Sequence, residues 1–313
     1  DDTEPEIILK NLSKIFPASW PFSCGKEDIS AVDKLSFSIR KGEIFALLGH
    51  NGAGKTTTIS MLTGLFPPTS GDAVVKGFSV QRNMDNIRST LGVCPQHDIL
   101  FPLLTAVEHL ELYAALKGTS ASEISSSVAE ILSLVGLDVS EHGNKPTSEF
   151  SGGMKRKLSV AIALIGDSKI IFLDECTAGM DPLSRRKIWD LLGRYKEDRT
   201  IILTTHFMEE ADILGDRIAI MSKGKLKVLG TSVELKNSFG VGYYFVFEKK
   251  DDCDTQNIID FIAKYFQGEE KLVEDDDKEI QFQIPTSCTP IFADFFSDID
   301  QQLGDLGLSS YGI

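Results

Sequence analysis

No run in this chain approaches the roughly 18 consecutive apolar residues that a bilayer-spanning helix needs. The first residues, Asp1-Asp2-Thr3-Glu4, are acidic where a secretory leader would be basic and then apolar. The segment is therefore expected to lie in water. Cysteine is scarce: Cys24, Cys94, Cys176, Cys253 and Cys288 form an odd, scattered set with no C-x-x-C pair. That argues against a zinc site or a disulfide framework and for reduced thiols in a cytosolic setting. Basic charge is also short, with 32 Lys+Arg against 46 Asp+Glu and a net charge of −14, which disfavours a nucleic-acid partner. There is no repeat period and no low-complexity tract. Half of the net charge, −7, sits between residues 248 and 279, where twelve Asp/Glu face five Lys/Arg; this run reads as a solvated acidic face. The shift in composition begins near Tyr243 and predicts a domain boundary.

What is present is more specific. The 313 residues, 42% of them hydrophobic, suffice for one large domain or two. Residues Gly49-His50-Asn51-Gly52-Ala53-Gly54-Lys55-Thr56 fit G-x-x-x-x-G-K-[ST] and follow an apolar run, 44–48, that reads as a buried strand. Glycines there let the backbone turn tightly and aim N–H groups at phosphate oxygens; Lys55 adds a point charge and the Thr56 hydroxyl can ligate Mg²⁺. Thr57 and its successors continue as a helix whose positive N-terminal end faces the same phosphates.

Two further buried strands, 170–173 and 201–203, end in Asp174-Glu175 and Thr204-Thr205-His206, and ligands of open α/β sheets bind where such ends meet. Asp174 is placed to hold Mg²⁺ through water, and Glu175 to orient the attacking water. Adjacent acids after an apolar run also fit a strand reaching solvent, but the phosphate loop upstream favours the chemical reading. His206 is placed to hydrogen-bond the γ-phosphate, although a lone histidine is more often structural. Ser151-Gly152-Gly153-Met154, followed by Lys155, Arg156 and Lys157 and an apolar stripe at Leu158, Ala161, Ile162 and Ile165, opens a helix with Ser151 as its cap and offers a second anion site.

Elsewhere the pattern predicts strands at 6–12 and 31–39 joined by a loop at 17–30 with Pro17, Pro21 and Gly25, a short strand at 72–76, a helical block at 107–116 and 122–135, and a hairpin at 217–221 and 226–229. From Gly242 the order is strand 243–248, helix 255–266, strands 271–274 and 279–284, helix 290–303 and a last strand from Leu308, a β-α-β-β-α-β pattern expected to be cut short at Ile313.

Taken together, these residues resemble the nucleotide-binding domain of ABC transporters. Ser151 to Met154 is similar to that family's signature motif, and the order phosphate loop, Gln96, signature, Asp174-Glu175, Ala178-Gly179-Met180-Asp181, His206 matches throughout. The resemblance implies that Phe16 stacks on adenine, that Gly49 to Thr57 bind ATP, and that Thr56, Gln96 and Asp174 hold Mg²⁺. It implies Glu175 as the catalytic base, with Gln96 and His206 as further catalytic residues, and Ala178, Gly179, Met180 and Asp181 as the D-loop. Ser151, Gly152, Gly153 and Met154 would act on ATP held by a second nucleotide-binding domain, in the same full-length chain or in a homodimer.

Gly64-Leu65-Phe66-Pro67-Pro68-Thr69-Ser70-Gly71, Gly92-Val93-Cys94-Pro95-Gln96-His97 and Arg156-Lys157-Leu158-Ser159 are similar to subfamily A, the lipid exporters. The implied fold class is α/β: a P-loop ABC-type ATPase with a RecA-like parallel core, an antiparallel β subdomain and a helical signature subdomain at about 97–165. A small α+β ferredoxin-like regulatory domain follows, with boundaries 1–240 and 241–313. Implied partners are transmembrane domains reached through coupling helices near 96–105, at the cytoplasmic face of a membrane; lipid is an indirect substrate and nucleic acid is not a partner. Three departures stand out: Phe16 in place of the usual A-loop Tyr, Met154 in place of the signature Gln, and Cys176 in place of the Pro after the Walker B glutamate. Cys176, beside two carboxylates, reads as a small uncharged filler rather than a reactive thiol.

Overall fold

The computed structural model describes residues 4–18, 28–196, 198–240, 242–250 and 253–312. Pro21, Cys24 and Gly25 of the expected 17–30 loop, and Ile313, lie outside the described residues. Two compact units divide the chain, Asp1–Ser232 and Val233–Ile313.

The first unit opens with β1 (Pro5–Phe16) and β2 (Ile29–Arg40), both longer than expected and paired antiparallel. Then come β3 (Ile44–Leu48), α1 (Lys55–Leu62), β4 (Ser70–Val75), β5 (Phe78–Ser79), α2 (Met84–Arg88) and β6 (Leu91–Cys94). The helical block follows as α3 (Ala106–Leu116), α4 (Ala121–Leu134) and α5 (Gly152–Leu164). Chain order then gives β7 (Ile170–Asp174), α6 (Pro182–Tyr195), β8 (Thr200–Thr205), α7 (Met208–Leu214) and the hairpin β9 (Arg217–Ser222) with β10 (Lys225–Gly230). Strands β2-β1-β4-β5 make an antiparallel sheet; β10-β9-β3-β8-β7-β6 make a second sheet, parallel except for its terminal hairpin. Strands β3, β7 and β8 are buried along their whole length, as expected of interior parallel strands read as continuous apolar runs. One apolar cluster joins the two sheets, with Ile7, Leu9 and Phe37 from the first and Phe45, Phe172 and Ile202 from the second.

The second unit takes up α8 (Ser232–Phe239) after its first residue, and then β11 (Tyr243–Lys249), α9 (Thr255–Phe266), β12 (Lys271–Asp275), β13 (Glu279–Ile284), α10 (Phe292–Gln302) and β14 (Leu308–Gly312). Its antiparallel sheet runs β12-β13-β11-β14, the order of a β-α-β-β-α-β fold. The helix expected from Pro290 starts at Phe292, because Pro290 falls in a 3₁₀ stretch, Thr286–Ile291, that leads into it. Proline lacks the N–H that an α-helix interior requires. Among the described residues no helix is long and apolar enough to cross a membrane.

Candidate active site

The site grows from the C-terminal ends of β3, β7 and β8. Chain leaving β3 wraps through Gly49–Ala53 and enters α1 at Gly54, whose φ of 102° only glycine adopts readily; a Cβ there would also stand 2.5 Å from the Ala31 carbonyl oxygen. The Lys55 ammonium donates back to the Gly49 carbonyl at 2.7 Å and the His50 carbonyl at 3.3 Å, so its charge lies over the loop. Lys55 is buried and pairs with Glu175 Oε1 at 3.5 Å.

Strands β7 and β8 are in register with Asp174 opposite Thr204. The Thr204 hydroxyl therefore donates to Asp174 Oδ1, and Thr56 Oγ1, from the first turn of α1, donates to the same oxygen at 3.2 Å. Burial raises the Asp174 pKa above the ordinary carboxylate value, while the two hydroxyl bonds and the Lys55 charge oppose that rise. One residue on, Glu175 adopts φ 49°, a left-handed conformation that costs a side-chain-bearing residue about 1–2 kcal/mol. Its N–H donates to the Thr204 carbonyl and hydroxyl at 3.2 and 3.0 Å, which holds the turn. His206 Nδ1 lies 3.5 Å from Glu175 Oε1, and its ring lies against Phe207, tilted by 37° with 4.1 Å between centroids.

Asn51, Gly52, Ala53, Gly54, Lys55, Thr56, Thr57, Gln96 and Glu175 line one cavity of about 150 Å³. That size suits phosphate groups and leaves a base and sugar outside. Phe16, at the end of β1, is 38% exposed, packs edge-on against Phe66 at 5.6 Å, and is not among the lining residues. Nor are Ser151, Gly152, Gly153 and Met154. They open α5 with Ser151 Oγ accepting from the Met154 N–H at 3.3 Å, and a Cβ on Gly152 or Gly153 would meet nothing within 4 Å. Of the expected D-loop, the Ala178 N–H donates to the Glu175 carbonyl at 3.1 Å and Asp181 caps α6 by accepting from the Ser184 N–H at 2.9 Å. The oxygen set Thr56 hydroxyl, Asp174 carboxylate and Gln96 amide fits a hard cation such as Mg²⁺, which takes one or two protein carboxylates plus phosphate and water. No cluster of three or more His, Cys, Asp or Glu suited to a metal occurs among the described residues.

Sequence reasoning missed three groups. Thr204 was read only as a polar strand end, yet its hydroxyl donates to the Asp174 carboxylate and accepts from the Glu175 backbone N–H. Glu210, buried in α7, accepts from Thr177 Oγ1 at 2.7 Å and Trp189 Nε1 at 3.0 Å, tying the segment after His206 to the residue before the D-loop and to α6. Arg156 is 3% exposed and bonds to Pro95, Asp98, Asp174 and Cys176. Its signal was available: helical spacing puts position 156 on one face with Val160 and Ala163, both buried. The Cys176 thiol is buried, and burial pushes its pKa well above the usual 9.0.

A glycine-rich loop closing a central parallel strand, a helix springing from it and two carboxylates delivered by a neighbouring strand define a nucleotide-binding P-loop ATPase. Residues 32–178 match the family described as ABC transporter, and residues 243–313 match the ACT-like domain. The human phospholipid-transporting ATPase ABCA3 is 46% identical over 99% of this chain and 18% of its own length. ABC transporter A family member 2 of Dictyostelium discoideum is 47% identical over 98% of this chain and 19% of its own length. The dimeric structure of the ATP-binding cassette MJ0796 bound to ADP and Pi superposes with a TM-score of 0.65 and 27% identity, over 72% of this chain and 98% of that one. This chain belongs to the ABC transporter family, as an ATPase cassette homologous to the A-subfamily phospholipid transporters and followed by an ACT-like domain. It spans less than a fifth of the length of the relatives named here. The family, subfamily and fold class implied by the motifs agree with these matches.

Proposed function

We propose that this chain is the ATP-hydrolysing engine of a lipid transporter, acting at the cytoplasmic face of a membrane through transmembrane domains that it engages by its 96–105 segment. The observation that carries the reading is the convergence of the phosphate loop, Gln96 and Glu175 on one cavity, with Thr56 and Asp174 bonded beside it. In this reading Phe16 stacks on adenine, the loop N–H groups and Lys55 bind the phosphates, and Thr56, Asp174 and Gln96 hold Mg²⁺. The bound ion would neutralise charge on the phosphate oxygens. Glu175 accepts a proton from the attacking water and so orients its lone pair toward the γ-phosphate, with ADP as the leaving group; His206, beside Glu175, hydrogen-bonds the γ-phosphate. Exposed Ser151 and Gly152, with half-buried Gly153 and Met154, close on the ATP of a second cassette, and Ala178, Gly179, Met180 and Asp181 face that partner as the D-loop. A dimeric relative supports this arrangement.

The docking segment has the chemistry the reading requires. Ile99, Phe101 and Leu103 are 72%, 54% and 87% exposed, and an apolar groove of about 700 Å³ beside Gln96 is lined by Ile59, Leu65, Val93, Ile99, Tyr113 and Ile162. Apolar side chains exposed together beside a groove suit the coupling helix of a transmembrane domain. We read residues 1–240 as the engine, with 97–165 as its helical part, and 241–313 as a regulatory module. The test is light scattering on the Glu175→Gln chain with and without ATP and Mg²⁺. Association only with ATP supports the two-cassette sandwich. A chain that binds ATP yet stays monomeric in every condition rejects self-pairing.

A further inference from the structure

Arg156 is a buried cation on α5 whose hydrogen bonds reach two separate segments, 95–98 and 174–176. From α5 its Nη1 donates to the Pro95 carbonyl at 2.6 Å and to Asp98 Oδ1 at 3.2 Å. Its Nη2 donates to the Asp174 carbonyl at 2.5 Å and its Nε to the Cys176 carbonyl at 3.0 Å. Ser159, one turn along the same helix, donates to Asp98 Oδ1 at 2.9 Å. Such a residue is costly relative to an apolar one, since one carboxylate and three neutral carbonyls must replace its water. Packing alone would be met by leucine or methionine.

The placement of the acceptors suggests what the cost supports. Asp174 and Cys176 flank Glu175, so one guanidinium grips the backbone on both sides of the residue held at φ 49°. The Pro95 carbonyl belongs to the peptide unit that leads into Gln96. Arg156 itself lies five residues beyond Ser151, in the helix that the signature residues open. A rigid planar fork can satisfy acceptors from three directions at once; a lysine ammonium cannot hold the same spread.

We propose that Arg156 is a positioning residue that locks the Glu175 turn and the Gln96 segment to the signature helix, so that engagement of the signature by a partner's nucleotide sets the geometry of the water-orienting carboxylate. This rests on the ATPase reading above. The test is ATP hydrolysis with Mg²⁺ by the full chain carrying Arg156→Lys, which keeps the charge and loses the fork, with nucleotide sites per chain counted in parallel. The expected result is a kcat lower by about 10- to 100-fold, with KM and nucleotide Kd within about threefold of the unsubstituted chain and full site occupancy. A kcat within about threefold overturns the inference, and so does a loss of kcat matched by an equal loss of binding sites, which would mark a folding role only. If Arg156→Lys does not fold, amide hydrogen exchange on the unsubstituted chain decides. Residues 95–98, 152–159 and 174–177 should change protection together as ATP is added, and a response of 174–177 without 95–98 overturns the inference. Should the unsubstituted chain show no Glu175-dependent hydrolysis, the ATPase reading fails and this inference with it. Glu175-dependent hydrolysis that ignores Arg156→Lys sinks this inference alone.

Discussion

The two units keep their polar groups in opposite places. In the first, Lys55, Arg156, Asp174, Glu175, Thr204 and Glu210 are all buried; in the second, every buried residue among those described is hydrophobic. Phe245, Phe247, Phe266, Phe282 and Phe295 fill the second core, with Phe295 stacked on Phe245 at 5.5 Å and packed on Phe266 at 5.1 Å. Among its polar contacts, Tyr311 Oη donates to Asp300 Oδ1 at 2.7 Å at the rim, and Lys249, its side chain 7% exposed, donates to the partly exposed Asp275 Oδ1 at 2.7 Å. Chemistry on phosphate needs charges fixed before the substrate arrives, and fixed charges must be desolvated and bonded inside the fold. The first unit carries that cost. The second has a core that supplies stability without chemistry, so whatever it recognises it must recognise at its surface.

The sharpest way to separate the units is to change each where it differs most. Glu175→Gln should lower hydrolysis by about 10²- to 10⁴-fold while nucleotide binding and the unfolding midpoint hold; persistent turnover in a phosphate-release assay would remove Glu175 from the mechanism. Phe295→Ala is the mirror experiment and should cost the second unit about 3–5 kcal/mol. Neither tryptophan falls in 233–313, and Trp189 lies in the first unit, so the fluorescence transition should stay in place while hydrogen exchange across 243–312 accelerates. If the fluorescence transition moves equally, the two cores do not unfold independently.

Smaller effects test the buried polar cluster from within. Thr204→Val removes a donor to Asp174 and should cost about 1–3 kcal/mol by urea unfolding, with nucleotide binding weakened as the carboxylate loses one of its braces. Lys117 donates to the Ile162, Ala163 and Ile165 carbonyls at the end of α5, and burial, with the Arg199 charge adding to it, pushes its pKa from the ordinary 10.5 down to about 8. Between pH 8 and 10.5 the unfolded chain therefore binds more protons than the folded one, and stability should rise with pH across that window. Lys117→Met should abolish the rise; an unchanged slope would place its cause elsewhere. Least of all, Cys176→Pro keeps the carbonyl that Arg156 uses and should leave the hydrolysis rate within about threefold. In the native chain Cys176 should also resist iodoacetamide, since its thiol is buried and held protonated.

Much of this was legible in the residues. The phosphate loop, the acid pair and the β-α-β-β-α-β order carry strong local signals: glycine spacing, continuous apolar runs and alternation. Strand β6 was not read because it has four residues and contains Gly92, a poor strand former. The reason for that glycine is tertiary, since a Cβ there would stand 2.1 Å from the Ala163 carbonyl oxygen of α5. Helix α2, five residues long, is too short to show a period.

The sequence by itself determined which peptide segments turn, which are buried and which carry acids, because those properties follow from neighbours a few residues apart. Only the tertiary structure decided that the Thr56 hydroxyl meets Asp174 at 3.2 Å across 118 residues, and that Arg156 grips both sides of Glu175. A buried charge is defined by the acceptors that replace its water, and here those acceptors come from strands and loops that only the folded sheet brings together.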